Sequence, residues 1–127
     1  MRLQLTDELL TSIKGIQRKA REGNAWHRRR LELIAAGLEA IRNLEAEPTE
    51  ENAEFKRVRQ HKLNPIWRWA HAYEEGIAVR LIFWFAPDGE VVVALFNGEK
   101  ARIGDVWYDS VGTRADTAIE RWKRQGD

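Results

Sequence analysis

Apolar positions in the first third of the chain recur with a helical period. Leu9, Ile13, Ile16 and Ala20 step by four, three and four, one face of an α-helix. Thr6 supplies a side-chain cap, and Asp7 and Glu8 suit the positive end of the dipole. Gly23-Asn24 stops this helix. A second helix is predicted from about Ala25 to Ala46, with Leu31, Ile34, Leu38, Ile41 and Leu44 on its apolar face and Leu33 widening the stripe. So short a break between the two predicts an antiparallel hairpin. Thr49, followed by Glu50 and Glu51, starts a short third helix through Phe55 and Val58 to about Gln60.

The period then changes to two. Trp67, Trp69, His71 and Tyr73 alternate with Arg68, Ala70 and Ala72, which predicts a strand. Glu75-Gly76 turns the chain. Ile77 to Phe85 is almost continuously apolar and broken only by Arg80, Pro87-Asp88-Gly89 is a strong turn signal, and Val91 to Phe96 is a second apolar run. These runs predict a hairpin of central strands covered on both faces. Asn97-Gly98 ends the sheet, and Lys100 to Tyr108 reads as a short strand or loop. Thr113 caps a last helix, with Asp116 at the capping-box position and Ala115, Ala118, Ile119 and Trp122 facing inward. Helices, then an antiparallel meander, then a helix make an α+β fold: an N-terminal helical hairpin packed on a small antiparallel sheet, with a C-terminal helix. With no repeat and no linker, the 127 residues form one domain, helical over 1–60 and sheet plus helix over 64–127.

Composition narrows the class. The chain is 43% hydrophobic and 32% charged, enough apolar material for a core and too much for a disordered chain. No apolar run approaches the roughly 18 residues of a membrane span, and Met1 to Leu10 carries Asp7 and Glu8, unlike a secretory signal. Cysteine is absent, which removes disulfide scaffolds, zinc ribbons and thiol nucleophiles and makes a reducing cytoplasm the expected location. The net charge of +1 carries no global nucleic-acid signature. Residues 1–63 hold 13 basic against 10 acidic side chains, and residues 64–127 hold 8 against 10. A polyanion site in the second half must therefore be a local cluster.

Several chemistries lack their residues. His27, His61 and His71 have no metal-ligand spacing, so no metal and no cofactor are expected. Ser12 and Ser110 sit on no nucleophile elbow, and no glycine-rich phosphate loop occurs. Arg80 is the most informative residue, a cation inside a run that otherwise wants burial. Leaving it buried and unpaired costs several kcal/mol. Either an acid such as Glu99 or Asp105 pairs with it, or it stands at an open face of the sheet to meet an anionic ligand, for which its planar fork is suited. Arg68, flanked by the small Ala70 and Ala72, is a solvated edge-strand residue or has room for a ligand beside it. Lys100, Arg102 and Tyr108 are an ordinary polar loop or join Arg68 and Arg80 on one concave face. Trp67 and Trp107, like the other tryptophans, are core aromatics unless they stack on bases. Arg28, Arg29 and Arg30 are a solvated helix face or a phosphate-backbone footprint.

The second half resembles the RelE-like toxins of bacterial toxin–antitoxin pairs, in the RelE/ParE superfamily. The matching pieces are Ile66-Trp67-Arg68-Trp69, the run from Gly76 to Trp84, Glu90 to Phe96, Gly98 to Arg102, and Asp105 to Val111. In that family a helical hairpin packs on an antiparallel sheet, the central strand carries an arginine, and basic residues and a tyrosine precede a C-terminal helix. The resemblance implies a ribosome-dependent endoribonuclease that cuts mRNA without metal, the 2′-hydroxyl attacking the neighbouring phosphate. By position, Arg68 would stabilise charge, Arg80 clamp the scissile phosphate, Arg102 or Lys100 protonate or stabilise the leaving oxygen, and Tyr108 orient or activate the hydroxyl or stack on a base. Three features depart from the family: its second strand lysine falls on Ala70, the second half is acidic, and the helical part is longer. They leave an alternative, a non-catalytic relative that inhibits gyrase or only binds its antitoxin. Either reading implies a cognate antitoxin protein as partner.

Overall fold

The computed structural model describes residues 1–100 and 106–125. The predicted hairpin is α1 (Asp7–Arg21) and α2 (Ala25–Arg42). Thr6 Oγ1 accepts from the Leu9 N–H at 3.1 Å, and Asn24 Oδ1 accepts from the His27 N–H at 3.0 Å, so both starts are capped by side chains. Gly23, with φ of +94°, turns the chain out of α1 in the left-handed region. The second helix ends at Arg42, short of the expected Ala46, with Asn43 as its C-cap.

The sheet contains β1 (Arg2–Leu5), β2 (Phe55–Arg57), β3 (Trp67–Ala70), β4 (Val79–Phe85) and β5 (Val91–Glu99), in the order β1-β5-β4-β3-β2. The hairpin packs on one face: Leu9, Ile16, Leu33, Ile34 and Ile41 bury Trp69, Val79, Leu81, Phe83, Val92 and Ala94. At Gly37 the α2 backbone comes so close to the Trp69 ring and Leu81 that a Cβ would overlap both. After α3 (Val106–Asp109), α4 (Val111–Gln125) covers part of the other face, with Val111, Ala115, Ala118 and Ile119 on Ile82, Trp84, Val93 and Leu95. The β4–β5 hairpin is thus buried on both faces, as its continuous apolar runs require.

The α+β class holds, and the details differ in several places. β1 pairs parallel with β5, from Arg2↔Val91 to Leu5↔Ala94, so the sheet is mixed rather than antiparallel. The expected third helix is instead β2, antiparallel to β3. Asn52 Oδ1 accepts from the Glu54 and Phe55 N–H groups at 2.8 and 2.7 Å, a local turn that competes with a helix start. β3 stops at Ala70, and β5 runs through Asn97-Gly98 to Glu99. Of the expected strand or loop from Lys100 to Tyr108, residues 101–105 lie outside the described residues and Val106 to Tyr108 are in the short α3; α4 begins at Val111, before Thr113. Asp116 is no capping-box partner: its carboxylate accepts from Leu63 N–H, Asn64 N–H and Asn64 Nδ2 at 3.0, 3.2 and 2.8 Å and so pins the segment leading into β3. Among the described residues no helix is long and apolar enough to cross a membrane.

Candidate functional site

α4 covers only the end of its sheet face where Ile82, Trp84, Val91, Val93 and Leu95 lie. On the same face, the other half of the sheet presents side chains by strand alternation. Lys56 pairs with Arg68, Arg68 with Ile82, Ala70 with Arg80, and Arg80 with Gly98. Since Ile82 faces α4, Lys56, Arg68 and Arg80 share its side of the sheet.

A β-bulge decides what joins them from β5. Ile82 pairs with Phe96 but Phe83 with Ala94, which leaves Leu95 as the extra residue. Both Leu95 and Phe96 pack toward α4, so the alternation shifts by one after the bulge. The Leu95 carbonyl accepts from the Thr6 hydroxyl at 2.5 Å. Downstream, Gly98 and Lys100 fall on the open face, and Asn97 and Glu99 fall on the hairpin side, where Ser12 donates to Asn97 Oδ1 at 2.8 Å. Lys100 continues the ladder, its N–H donating to Ala78 O at 2.9 Å. Lys56, Arg68, Arg80 and Lys100 thus form a diagonal row across four neighbouring strands.

Tyr108 completes the group. Lys100 Nζ stands 5.7 Å from its ring centroid. The tyrosine is held in place by its neighbour: Trp107 is buried, its ring packed on Gly98 with no room for a Cβ between them. Three adjoining clefts open along the row. One of about 580 Å³ lies between Arg68, Arg80 and His71, one of about 460 Å³ between Arg80, Lys100 and Glu74, and one of about 300 Å³ between Lys56, Arg68, Lys100 and Tyr108.

The electrostatics favour an anion. Burial pushes the Arg68 guanidinium below its ordinary pKa; Tyr108 opposes this, Arg80 adds to it, and Glu51 opposes it. Two guanidinium groups that repel each other in a part-buried place gain from a negative ligand between them. Arg68 donates to the Ala53 and Glu54 carbonyls at 3.2 and 3.4 Å, and Arg80 to the Val79 carbonyl at 3.0 Å. Neither makes an ion pair with a described residue. The nearby acids are turned elsewhere. Glu99, one expected partner of Arg80, accepts from the Ala78 N–H at 2.6 Å, Glu54 from Trp69 Nε1 at 3.0 Å, and Glu51 from the Arg57 N–H at 2.8 Å. Asp105, the other expected partner, lies outside the described residues, as does Arg102.

His71 lies between two of the clefts, but its ring is committed. Nε2 accepts from the Val79 N–H at 2.9 Å, and Nδ1 stands 2.7 Å from the Ala72 carbonyl. An amide can only donate and a carbonyl only accept, so Nε2 serves as the acceptor and Nδ1 as the donor. It is a structural link at the β3–β4 junction.

Three expectations are corrected. Trp67 is 1% exposed, its Nε1 donating to Glu47 at 3.2 Å with Arg57 stacked on the ring, so no face is left for a base. Trp107 is 7% exposed and serves as the anchor of α3. The basic triplet of α2 is no continuous footprint: Arg29 binds Glu74 through two nitrogens, the closest contact at 2.7 Å, Arg30 lies over the Trp26 ring, and only Arg28 projects without such a contact. In the other direction, Lys56 and Arg59 line the third cleft and were hidden by the expected helix. The doubled basic pattern of Lys56-Arg57-Val58-Arg59 was the available signal. No group of described residues has the makings of a metal site. Compared with known proteins, the chain matches no family model, no curated protein and no solved structure.

Proposed function

We propose that this chain is a RelE-like toxin, a metal-independent endoribonuclease that cuts mRNA on the ribosome and is held in check by a cognate antitoxin. The observation that carries the reading is the row of Arg68, Arg80 and Lys100 beside Tyr108 on a sheet face that the described residues leave open, with neither arginine ion-paired to a described acid. The 2′-hydroxyl attacks the adjacent phosphorus, the O2′–P bond forms, and the P–O5′ bond breaks. Negative charge builds on the non-bridging oxygens. Arg80 and Arg68 stand where two donors can grip them, and guanidinium groups fixed before the reaction stabilise that charge without reorganising. Tyr108 orients the attacking hydroxyl, whose proton is released to solvent water as the O2′–P bond forms. Lys100 gives its proton to the leaving 5′-oxygen, sharing this role with Arg102 by the family resemblance.

Inducible expression in a bacterium, with mapping of mRNA 5′ ends, tests the assignment. Growth arrest with new ends that vanish in Arg80→Ala is expected. Normal growth and intact messages at full expression would overturn it.

A second reading has its own support. Ala70 stands opposite Arg80 where the family carries a second lysine, and His71 is bound to the backbone through both nitrogens. A site so poor in proton-transfer groups suits a module that binds without cutting, at gyrase or at the antitoxin alone. Inhibited supercoiling with intact messages would favour it.

A further inference from the structure

We infer that the edge strand β2 extends the phosphate site into a track for single-stranded RNA, with Lys56 and Arg59 binding backbone phosphates beyond the one held by Arg80. The inference rests on the proposed nuclease reading and adds to it a second binding segment and the path of the strand.

The register carries the argument. Lys56 is directly opposite Arg68, and Arg68 is one diagonal step from Arg80. Neighbouring strands are about 4.8 Å apart, so the row sets successive cations at intervals that an extended backbone can follow. The cleft between Lys56, Arg59, Arg68, Lys100 and Tyr108 shares Arg68 as a wall with the one that holds Arg68 and Arg80. Lys56 and Arg59 are exposed and make no ion pair with a described residue. Glu51, the nearby acid, is drawn to the Arg57 backbone. No apolar residue of this edge is offered to a partner: Phe55 and Val58 are both buried. A cationic, solvated strand edge is also one that does not pair with other sheets.

The test uses the full chain and a labelled single-stranded RNA octanucleotide whose 2′-O-methyl riboses prevent cleavage, with a dinucleotide of the same chemistry beside it. Binding is followed by fluorescence anisotropy across a salt series. Each phosphate neutralised on a single strand contributes about −0.7 to the slope of log affinity against log salt. Lys56→Ala/Arg59→Ala should flatten the octanucleotide slope by roughly 1.4 while leaving dinucleotide binding unchanged. A control pair on the far side of the sheet, Arg18→Ala/Lys19→Ala, should leave both unchanged. An unaltered slope in the β2 variant, or an equal loss in the control, overturns the track and leaves the Arg80 site standing. Failure of the unmodified chain to bind the octanucleotide overturns the track, while the nuclease reading falls only if messages stay intact at full expression.

Discussion

The indole of Trp107 lies directly on the backbone of Gly98, and this contact fixes where Tyr108 stands relative to Arg80. Gly98 pairs with Arg80 across the sheet, and Trp107 and Tyr108 are adjacent in α3. A methyl group on Gly98 has no space beneath the ring. Gly98→Ala should therefore lift Trp107, cost about 1–3 kcal/mol as overpacking does, and move Tyr108 from the cations. Urea denaturation measures the first effect and RNA binding the second. Lost stability with unchanged RNA affinity would remove Tyr108 from the site.

Asp116 joins α4 to the segment before β3 through three donors. Two are backbone N–H groups of Leu63 and Asn64 and the third is the Asn64 side-chain amide. Gly112 packs on the Gln60 carbonyl in the same seam. Asp116→Ala leaves those donors unmatched or solvated, at a cost of about 1–3 kcal/mol. Hydrogen exchange should show faster exchange at Leu63 and Asn64. Protection equal to that of the parent chain would mean the carboxylate is not what holds the segment.

The parts of this structure legible in the sequence are those set by local chemistry. Thr6 and Asn24 cap their helices through bonds spanning three residues, and the apolar runs of β4 and β5 announce two covered faces. The parts that were not legible depend on distant partners. β1 is four residues long and gains its place by pairing with Val91 to Ala94; its only trace is the alternation of Leu3 and Leu5. The bulge at Leu95 leaves no mark in a run apolar on both faces, yet it decides that Lys100 rather than Glu99 joins the cations. Arg68, Arg80, Lys100 and Tyr108 were named from sequence, whereas Lys56 escaped because a helical reading separates it from Arg68. Trp67 and Trp107 were ambiguous because large aromatics serve cores and ligands alike.

The α2 start is tied to the turn beside the site by Arg29 and Glu74, and this tie depends on pH. The Arg29 hydrogen bond holds the Glu74 carboxyl below its usual range, and Glu74 in turn raises the Arg29 guanidinium. A carboxylate with a depressed folded-state pKa adds stability above its unfolded value, near 4, and loses it as pH falls through the lower folded value. The raised arginine adds stability at every pH below its unfolded value, so the pair is intact across the neutral range. Both groups reach solvent, so the effect is small and screened by salt. The stability difference between the parent chain and Glu74→Gln should be constant from about pH 6 to 9 and disappear at the acid end, below about pH 4. A difference that grows on acidification would contradict the pairing.

Arg80 separates a binding role from a structural one by the sign of its effect on stability. It is half-buried, its guanidinium donates to its own strand's Val79 carbonyl, and it lies close enough to Arg68 to depress that guanidinium. A half-buried cation with a like charge beside it and no ion pair to a described acid gains little from its charge in the fold. Arg80→Ala should therefore be as stable as the parent, to within about 0.5 kcal/mol, or more stable, while phosphate-backbone binding falls. Arg80→Lys keeps the charge but loses the planar fork, so its affinity should lie between the two. Thermal melts and RNA titrations on the same three proteins decide the matter. A destabilisation of more than about 1 kcal/mol in Arg80→Ala would mean that the fold needs this cation. Equal affinity in Arg80→Lys and the parent would mean that charge alone, without bidentate geometry, holds the ligand.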